Sequence, residues 1–488
     1  MSNDSLNAIL TAAQMRRDAG QWEHATRLFR RAEMLAPAAA DIKHNLAMAH
    51  FAKGETNEAQ AWAERAIALM PGLWQSHALL ARIFRAAGDA EGGEAAWSEV
   101  LRHNPGNATA LLGLADLAMN EFGDPAAAVA LVAPLRQNPA FAVDAELTAL
   151  MAGLYLGGDA RVTSERLIGF SRANMRLPLS APRAPRSGRR RVGLISPLFS
   201  ASPVYYLTYS TWAAVAEHHE LVIFSRGLRR DWATDRFRSL AAEWIDVANI
   251  DAAPLAQQIA DAEIDIVFDL GGWADVIGLT ALSAKPAARM YKWVGGQSAT
   301  TGLEMFDGWI GDDWQSPLDS QPLYAEPLVN IAGGYADYTP PDILASLKDL
   351  PKAGVGLVGN PAKIGEGMIT AWPSGVEKVV LIDRRYARDR VLDRVKALLA
   401  RIGVAVERVI VPRGQEDYLR AVARCEAIVN TQPYAAGLTA VEAHALGIPV
   451  LAAGAAGPLF CSRHHLSHRR TSGRNRALAP QILQLIAR

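Results

Sequence analysis

At 488 residues the chain is too long for one compact core, so two to four domains are expected. Half of it is hydrophobic, 20% is charged, and 50 Lys and Arg balance 50 Asp and Glu, which excludes a disordered polyelectrolyte and argues against nucleic acid as a partner. Cys425 and Cys461 are its only cysteines, so neither a disulfide framework nor a cysteine-based zinc site can be built, and a reducing compartment is expected.

The first residues, MSNDSLNAILTAAQ, lack the basic start, apolar stretch and cleavage site of a signal peptide, and no run of 18 apolar residues follows. A cytoplasmic location without membrane insertion is the expectation. Arg far outnumbers Lys and Ala is abundant, a composition common in bacteria with GC-rich genomes.

Pro37, Pro71, Pro105 and Pro139 recur every 34 residues, and Gly20, Gly54 and Gly88 recur at the same step. The stretches from Gly to Pro are Ala-rich and helix-periodic, as where Ala59, Ala63, Ala66 and Leu69 share one face. In a helix-turn-helix repeat, Gly ends the first helix, Ala lets helices approach closely, and Pro prevents the second helix from continuing. The pattern resembles the tetratricopeptide repeat. About four repeats fill residues 6 to 141, and a capping pair over 144 to 170 completes a repeat domain at 1–172. Such a domain offers a groove for extended peptide, or a scaffold for docking and homo-oligomer formation.

Residues 173–191 contain LPLSAPRAPRSGRRR and read as an exposed linker. The pattern then changes to short apolar runs alternating with helix-period segments, the mark of a parallel sheet covered by helices. VGLIS, ELVIFS, DIVFDL and RMYKWV are candidate strands of a first lobe at 192–345. After a proline-rich stretch, VGLVG, KVVLID, ERVIVP, AIVN and PVLAA supply a second lobe at 346–488. The fold class is therefore α/β with an all-α N-terminal repeat domain, the two Rossmann-like lobes facing a ligand cleft at the carboxyl ends of their strands.

Gly354, Gly356 and Gly359 satisfy G-x-G-x-x-G, but they lie before and within an apolar run instead of between a strand and a helix, which disfavours a dinucleotide site. Lys363 follows that strand at a turn into a helix. It is either a solvated loop cation or the group that neutralises a phosphate leaving group. Thr439 and Glu442 have capping-box spacing, and the same helix start can offer N–H groups and a hydroxyl to phosphate and a carboxylate to ribose. Tyr434 and Gly437 belong to the preceding turn of small residues. Gly271 and Gly272, and the hydroxyl-rich turn with Thr300, Thr301 and Gly302, point a polar ligand such as a sugar toward the first lobe. His464, His465 and His468 are irregularly spaced for metal and read as surface or cleft-edge polarity.

In order and separation, RVGLISPLFSASP, DIVFDLGGWAD, KPAARMYKWVGGQSATTG, VGNPAKI and NTQPYAAGLTAVEAHALGIPV resemble the O-GlcNAc transferase and SPINDLY family. The resemblance implies a tetratricopeptide solenoid followed by a GT-B fold and inverting transfer of sugar from a nucleotide-sugar to Ser or Thr of an acceptor protein. Metal and cofactor are then not required, the nucleotide-sugar being a co-substrate. Asn360 and Lys363 would contact the diphosphate, Thr439 and Glu442 phosphate and ribose, and Thr300, Thr301 and Gly302 the sugar. Asn45, nine residues before Gly54, matches the family's groove asparagines, whereas Thr11 and Leu79 occupy the equivalent places before Gly20 and Gly88.

Ser202 stands where the family has a first-loop histidine often discussed as catalytic, and Leu198 where it has an acid. Gly437, Leu438 and Tyr418 likewise replace family residues, two of them histidines on the donor side. Diphosphate and ribose contacts are thus kept while base and sugar contacts change. Asp275, Tyr205 and Tyr206 are candidate proton acceptors or relays. Bacterial members with this architecture include flagellin transferases, which makes flagellin a plausible acceptor. The alternatives are a binding scaffold with an inactive transferase domain, and a transferase acting on a carbohydrate or lipid-linked acceptor.

Overall fold

The structure, a computed structural model, describes residues 3–180, 188–452, 455–471 and 475–487. The chain divides into two compact units, Met1–Ala149 and Leu150–Arg488.

In the first unit helices pair in succession: Asn3–Asp18 with Trp22–Leu35, Ala40–Ala52 with Thr56–Leu69, Trp74–Ala87 with Ala90–His103, and Ala108–Asn120 with Pro125–Val132. Gly20, Gly54 and Gly88 turn the chain within the first three pairs at φ of 69°, 79° and 78°, the left-handed region that strains any side chain. The periodic prolines fall between pairs. Asp89, Asn107 and Asp124 each accept a backbone N–H three residues on, caps worth about 1 kcal/mol apiece. Ala59 and Ala63 pack with Ala47, Leu79 and Ile83, and Ala66 is likewise fully buried. Leu69, assigned to that face from sequence, is 47% exposed, because it ends its helix where the chain turns away toward Pro71.

The second unit holds two sheets. The first comprises β1 (Arg191–Ser196), β2 (Glu220–Ser225), β3 (Glu243–Asp246), β4 (Ile266–Asp269), β5 (Arg289–Lys292), β6 (Gly308–Gly311) and β7 (Leu328–Asn330), in the order β3-β2-β1-β4-β5-β6-β7. The second comprises β8 (Val355–Val358), β9 (Lys378–Ile382), β10 (Ala405–Ile410), β11 (Ala427–Val429) and β12 (Val450–Leu451), in the order β10-β9-β8-β11-β12. Every pairing is parallel. Order reverses at β1 and β4 in one sheet and at β8 and β11 in the other, and crevices outside the carboxyl ends of such strands are where open α/β sheets bind ligands.

All nine runs read as strands from sequence form strands, while β3, β6 and β7 were not anticipated. β3 is a half-exposed edge with acidic ends, β6 is bounded by glycines, and β7 has three residues within the proline-rich stretch. Helix Ala160–Asn174 packs on the first lobe, where Ser171 Oγ donates to Thr301 O at 2.6 Å. The last helix, Leu478–Ala487, also meets this lobe, and the Arg289 guanidinium donates to Leu485 O and Ile486 O at 2.9 and 2.8 Å. Of the sequence-predicted linker, residues 181–187 lie outside the described residues, Ser180 N donates to Ala284 O, and Arg191 already belongs to β1. Among the described residues no helix is long and apolar enough to cross a membrane.

Candidate active site

A cleft of about 510 Å³ opens between the two lobes of the second unit. Its first-lobe wall is Ala201, Ser202, Pro203 and Tyr206, which follow β1, with Arg229 after β2. The facing wall comes from the loops after β9 and β10 and from helices Gln415–Ala423 and Leu438–Ala445: Asp383, Arg384, Arg385, Arg413, Gln415, Tyr418, Thr439 and Glu442 are among its residues. Four arginines thus meet two acids, and Asp383 is already bound by Arg385 at 3.0 and 3.1 Å. The remaining acid does not restore the balance. Burial leaves Glu442 2% exposed and pushes its carboxyl up to about 8, so at neutral pH it is largely protonated. Cationic side chains therefore outnumber anionic ones along the lining. A neutral Glu442 both donates and accepts hydrogen bonds, which suits a diol.

Glu442 hydrogen-bonds Tyr418, whose hydroxyl donates to Thr439 Oγ1 at 2.9 Å. The capping box expected from Thr439 and Glu442 is not formed. Gly437 is the N-cap, and Thr439 already lies within the helix, because the turn of small residues lets the helix start two positions earlier.

At the β8–β11 switch point Asn360 caps the short turn Pro361–Lys363 by accepting Ala362 N–H at 3.0 Å. This turn aims the half-buried Lys363 inward. Its ammonium donates to Ala435 O at 2.9 Å and stands 4.6 Å from the Tyr434 ring centroid. Burial lowers it to about 8, so Lys363 is not the solvated loop cation that its sequence position also allowed. Tyr434 is held by Ser298 at 2.8 Å and by Tyr155, which stacks on it at 4.8 Å. The structure therefore gathers Asn360, Lys363, Tyr434 and Gly437 at the switch point, and Ser202, Tyr418, Thr439 and Glu442 around the cleft.

Other predicted residues are placed elsewhere or engaged. The Ser202 hydroxyl caps helix Pro203–His218 through Val204 N and donates to Leu198 O at 2.7 Å. Asp275, a candidate proton acceptor from sequence, caps helix Val276–Leu282 and pairs with the Arg226 guanidinium at 2.9 Å, so both its roles here are structural. Tyr206 donates to Gln415 across the lobes and is raised by burial to about 12; Tyr205 packs among Tyr209, Trp232 and Phe237. Thr300 and Thr301, expected on the sugar side, have no exposure, and both hydroxyls donate to the buried Glu326. Gly302 is a close-packing position: a Cβ there would stand 2.8 Å from Ser171 Oγ. In the first unit the Asn45 amide donates to Asp41 O at 2.8 Å and accepts from Arg17 at 3.0 Å.

His464 and His465 are buried, not at the surface: His464 packs edge-on against Phe460 and meets Gln315 at 3.3 Å, and His465 meets Asn430 at 3.4 Å. The His468 side chain lies outside the described residues. Sequence reasoning missed Arg229, Arg384, Arg385, Arg413 and Gln415. A signal existed, since DRR directly follows the apolar run KVVLI and PRGQ follows ERVIV, both at strand carboxyl ends.

No family model matches the chain. A probable UDP-N-acetylglucosamine–peptide N-acetylglucosaminyltransferase SPINDLY of Petunia hybrida is 25% identical over 285 residues, covering 54% of this chain and 30% of that protein. The protein of the same name from Solanum lycopersicum is 26% identical over the same length and shares. The matched region thus spans under a third of these relatives. Among solved structures, a mutant of the Thermobaculum terrenum O-GlcNAc transferase superposes with a TM-score of 0.61 at 23% identity, covering 100% of this chain and 91% of that one. The chain is thus similar in sequence to the SPINDLY proteins and in fold to the O-GlcNAc transferase: helical repeats are followed by two parallel-sheet lobes in the GT-B arrangement.

Proposed function

We propose that the protein is an inverting glycosyltransferase that moves a sugar from a nucleotide-sugar donor to Ser or Thr of an acceptor protein. The carrying observation is the interlobe cleft, in which four arginines, Thr439 and a neutral Glu442 surround the start of helix Leu438–Ala445. Helix N–H groups and guanidiniums suit the phosphates, and Glu442 with Tyr418 suits the ribose. No metal or cofactor is required in this reading.

The acceptor hydroxyl attacks the anomeric carbon as the bond to the phosphate oxygen breaks. Lys363 and the helix N-terminus offset the charge that develops on the leaving group. Asp275 is bound by Arg226 and Tyr206 is raised to about 12, so the departing phosphate oxygen takes the hydroxyl proton. The repeats present the acceptor, with flagellin as the candidate, in a cytoplasmic enzyme that is free to oligomerise.

Calorimetric titration with UDP, GDP and CMP tests the site. Binding of one nucleotide that Arg385→Ala weakens at least tenfold supports the reading; binding of none would leave a scaffold with an inactive domain. Deleting residues 1–141 addresses the acceptor. Loss of protein modification with nucleotide binding intact supports presentation by the repeats, whereas undiminished modification favours repeats used for assembly alone.

A further inference from the structure

The third helix pair of the first unit carries a cluster that the transferase reading does not use. Glu99 and His103 lie four residues apart on one face of helix Ala90–His103, and His77 projects from helix Trp74–Ala87. One ligand atom from each lies within 4.8 Å of the others, and the two imidazoles stack with centroids 5.8 Å apart.

Both histidines are prepared for this. His77 is 8% exposed and its Nε2 donates to Pro71 O at 2.9 Å, which leaves the lone pair on Nδ1. Metal-binding imidazoles are oriented in this way, through a carbonyl that holds the other nitrogen's proton. His103 Nε2 lies 3.7 Å from Glu99 Oε2 and 2.7 Å from Arg102 Nη2. A guanidinium only donates, so that nitrogen presents a lone pair. Arg102 also donates twice to Glu99 Oε2, at 2.9 and 2.6 Å. An imidazole lone pair and a carboxylate oxygen therefore converge on one positive charge, carried by a side chain that is 61% exposed and free to swing away.

We propose that His77, Glu99 and His103 bind a divalent transition-metal ion of the zinc type, which displaces Arg102 and ties together the two helices of the third repeat. Two imidazoles with one carboxylate suit zinc better than calcium or magnesium, and water completes the tetrahedron. Bonds of about 2.0–2.2 Å place donor atoms roughly 3.4 Å apart, so the side chains close by about 1 Å.

The test is zinc titration of the untagged full chain, followed by competition with a chromophoric chelator and by thermal unfolding. The parent should bind one zinc more than His77→Ala/His103→Ala and should gain a few degrees in Tm that the variant does not. Glu99→Gln, half-exposed and harmless to the fold, should weaken that site at least tenfold, and Arg102→Ala, which removes the competing cation, should tighten it. Equal zinc stoichiometry in parent and double variant, unchanged affinity in Glu99→Gln, or weaker binding in Arg102→Ala would overturn the proposal.

Discussion

The Lys363 ammonium lies 4.6 Å from the centroid of the Tyr434 ring and donates to the backbone oxygen of Ala435, two residues before the N-cap of helix Leu438–Ala445. A cation is thereby held in an apolar setting beside a helix N-terminus. Removing it should cost a charge-stabilising contact, typically about 10²–10³ in rate. Lys363→Ala should lower transfer by that factor with an unchanged melting curve, and near-normal turnover would remove Lys363 from the mechanism.

The same lysine sets an alkaline limit. Burial lowers it to about 8, and only the protonated form offsets phosphate charge. The kcat/KM for the donor should be level below that pH and fall above it, with Lys363→Arg moving the fall to higher pH. A profile identical in both proteins would assign the limb to another group.

Glu442 makes a prediction about stability. Its folded pKa is raised from 4.5 to about 8, so the folded chain keeps a proton that the unfolded chain releases above about 4.5. The resulting stabilisation is complete below about 4.5 and is lost as pH rises toward 8. Glu442→Gln has no proton to lose, and its Tm should drop less than the parent's between pH 5 and pH 8.

Tyr434 separates ring from hydroxyl. Tyr434→Phe loses only the Ser298 bond and keeps both the face toward Lys363 and the Tyr155 stack. Tyr434→Ala loses all three, and a desolvated cation–π contact alone is worth up to about 2 kcal/mol, or some 30-fold. Steady-state rates should fall less than threefold for Phe and more than tenfold for Ala.

Thr300 is expected to act on stability alone. Thr300→Val leaves one oxygen of the buried Glu326 without its donor, a loss of about 1–3 kcal/mol. The denaturation midpoint should fall while the donor KM stays constant. A raised KM would return Thr300 to the donor site.

The repeats were legible because positive-φ turns at Gly20, Gly54 and Gly88 leave a residue-type signature at fixed spacing. Strands such as β1 and β9 were legible because burial on both faces makes them continuous apolar runs. Half-exposed β3 and three-residue β7 leave no such run. At the site, local chemistry pointed to Lys363 and Thr439 beside a helix start, and the family resemblance pointed to Tyr418, whose hydroxyl meets Thr439 in the structure. Local chemistry could not foresee that Glu326, 25 residues from Thr301, consumes both hydroxyls of that turn, or that Arg226 claims Asp275 from 49 residues away. Pairings between distant segments carry no local pattern.

Intact-mass measurement of acceptor protein tests the central claim most directly. The purified chain would be incubated with UDP-, GDP- and CMP-sugars in turn and with unmodified acceptor from the source cell, beside Lys363→Ala. One donor should add a defined sugar mass to Ser or Thr with the parent chain and not with the variant. No increment from any donor, in a preparation that also binds no nucleotide, would contradict the assignment of this cleft to glycosyl transfer.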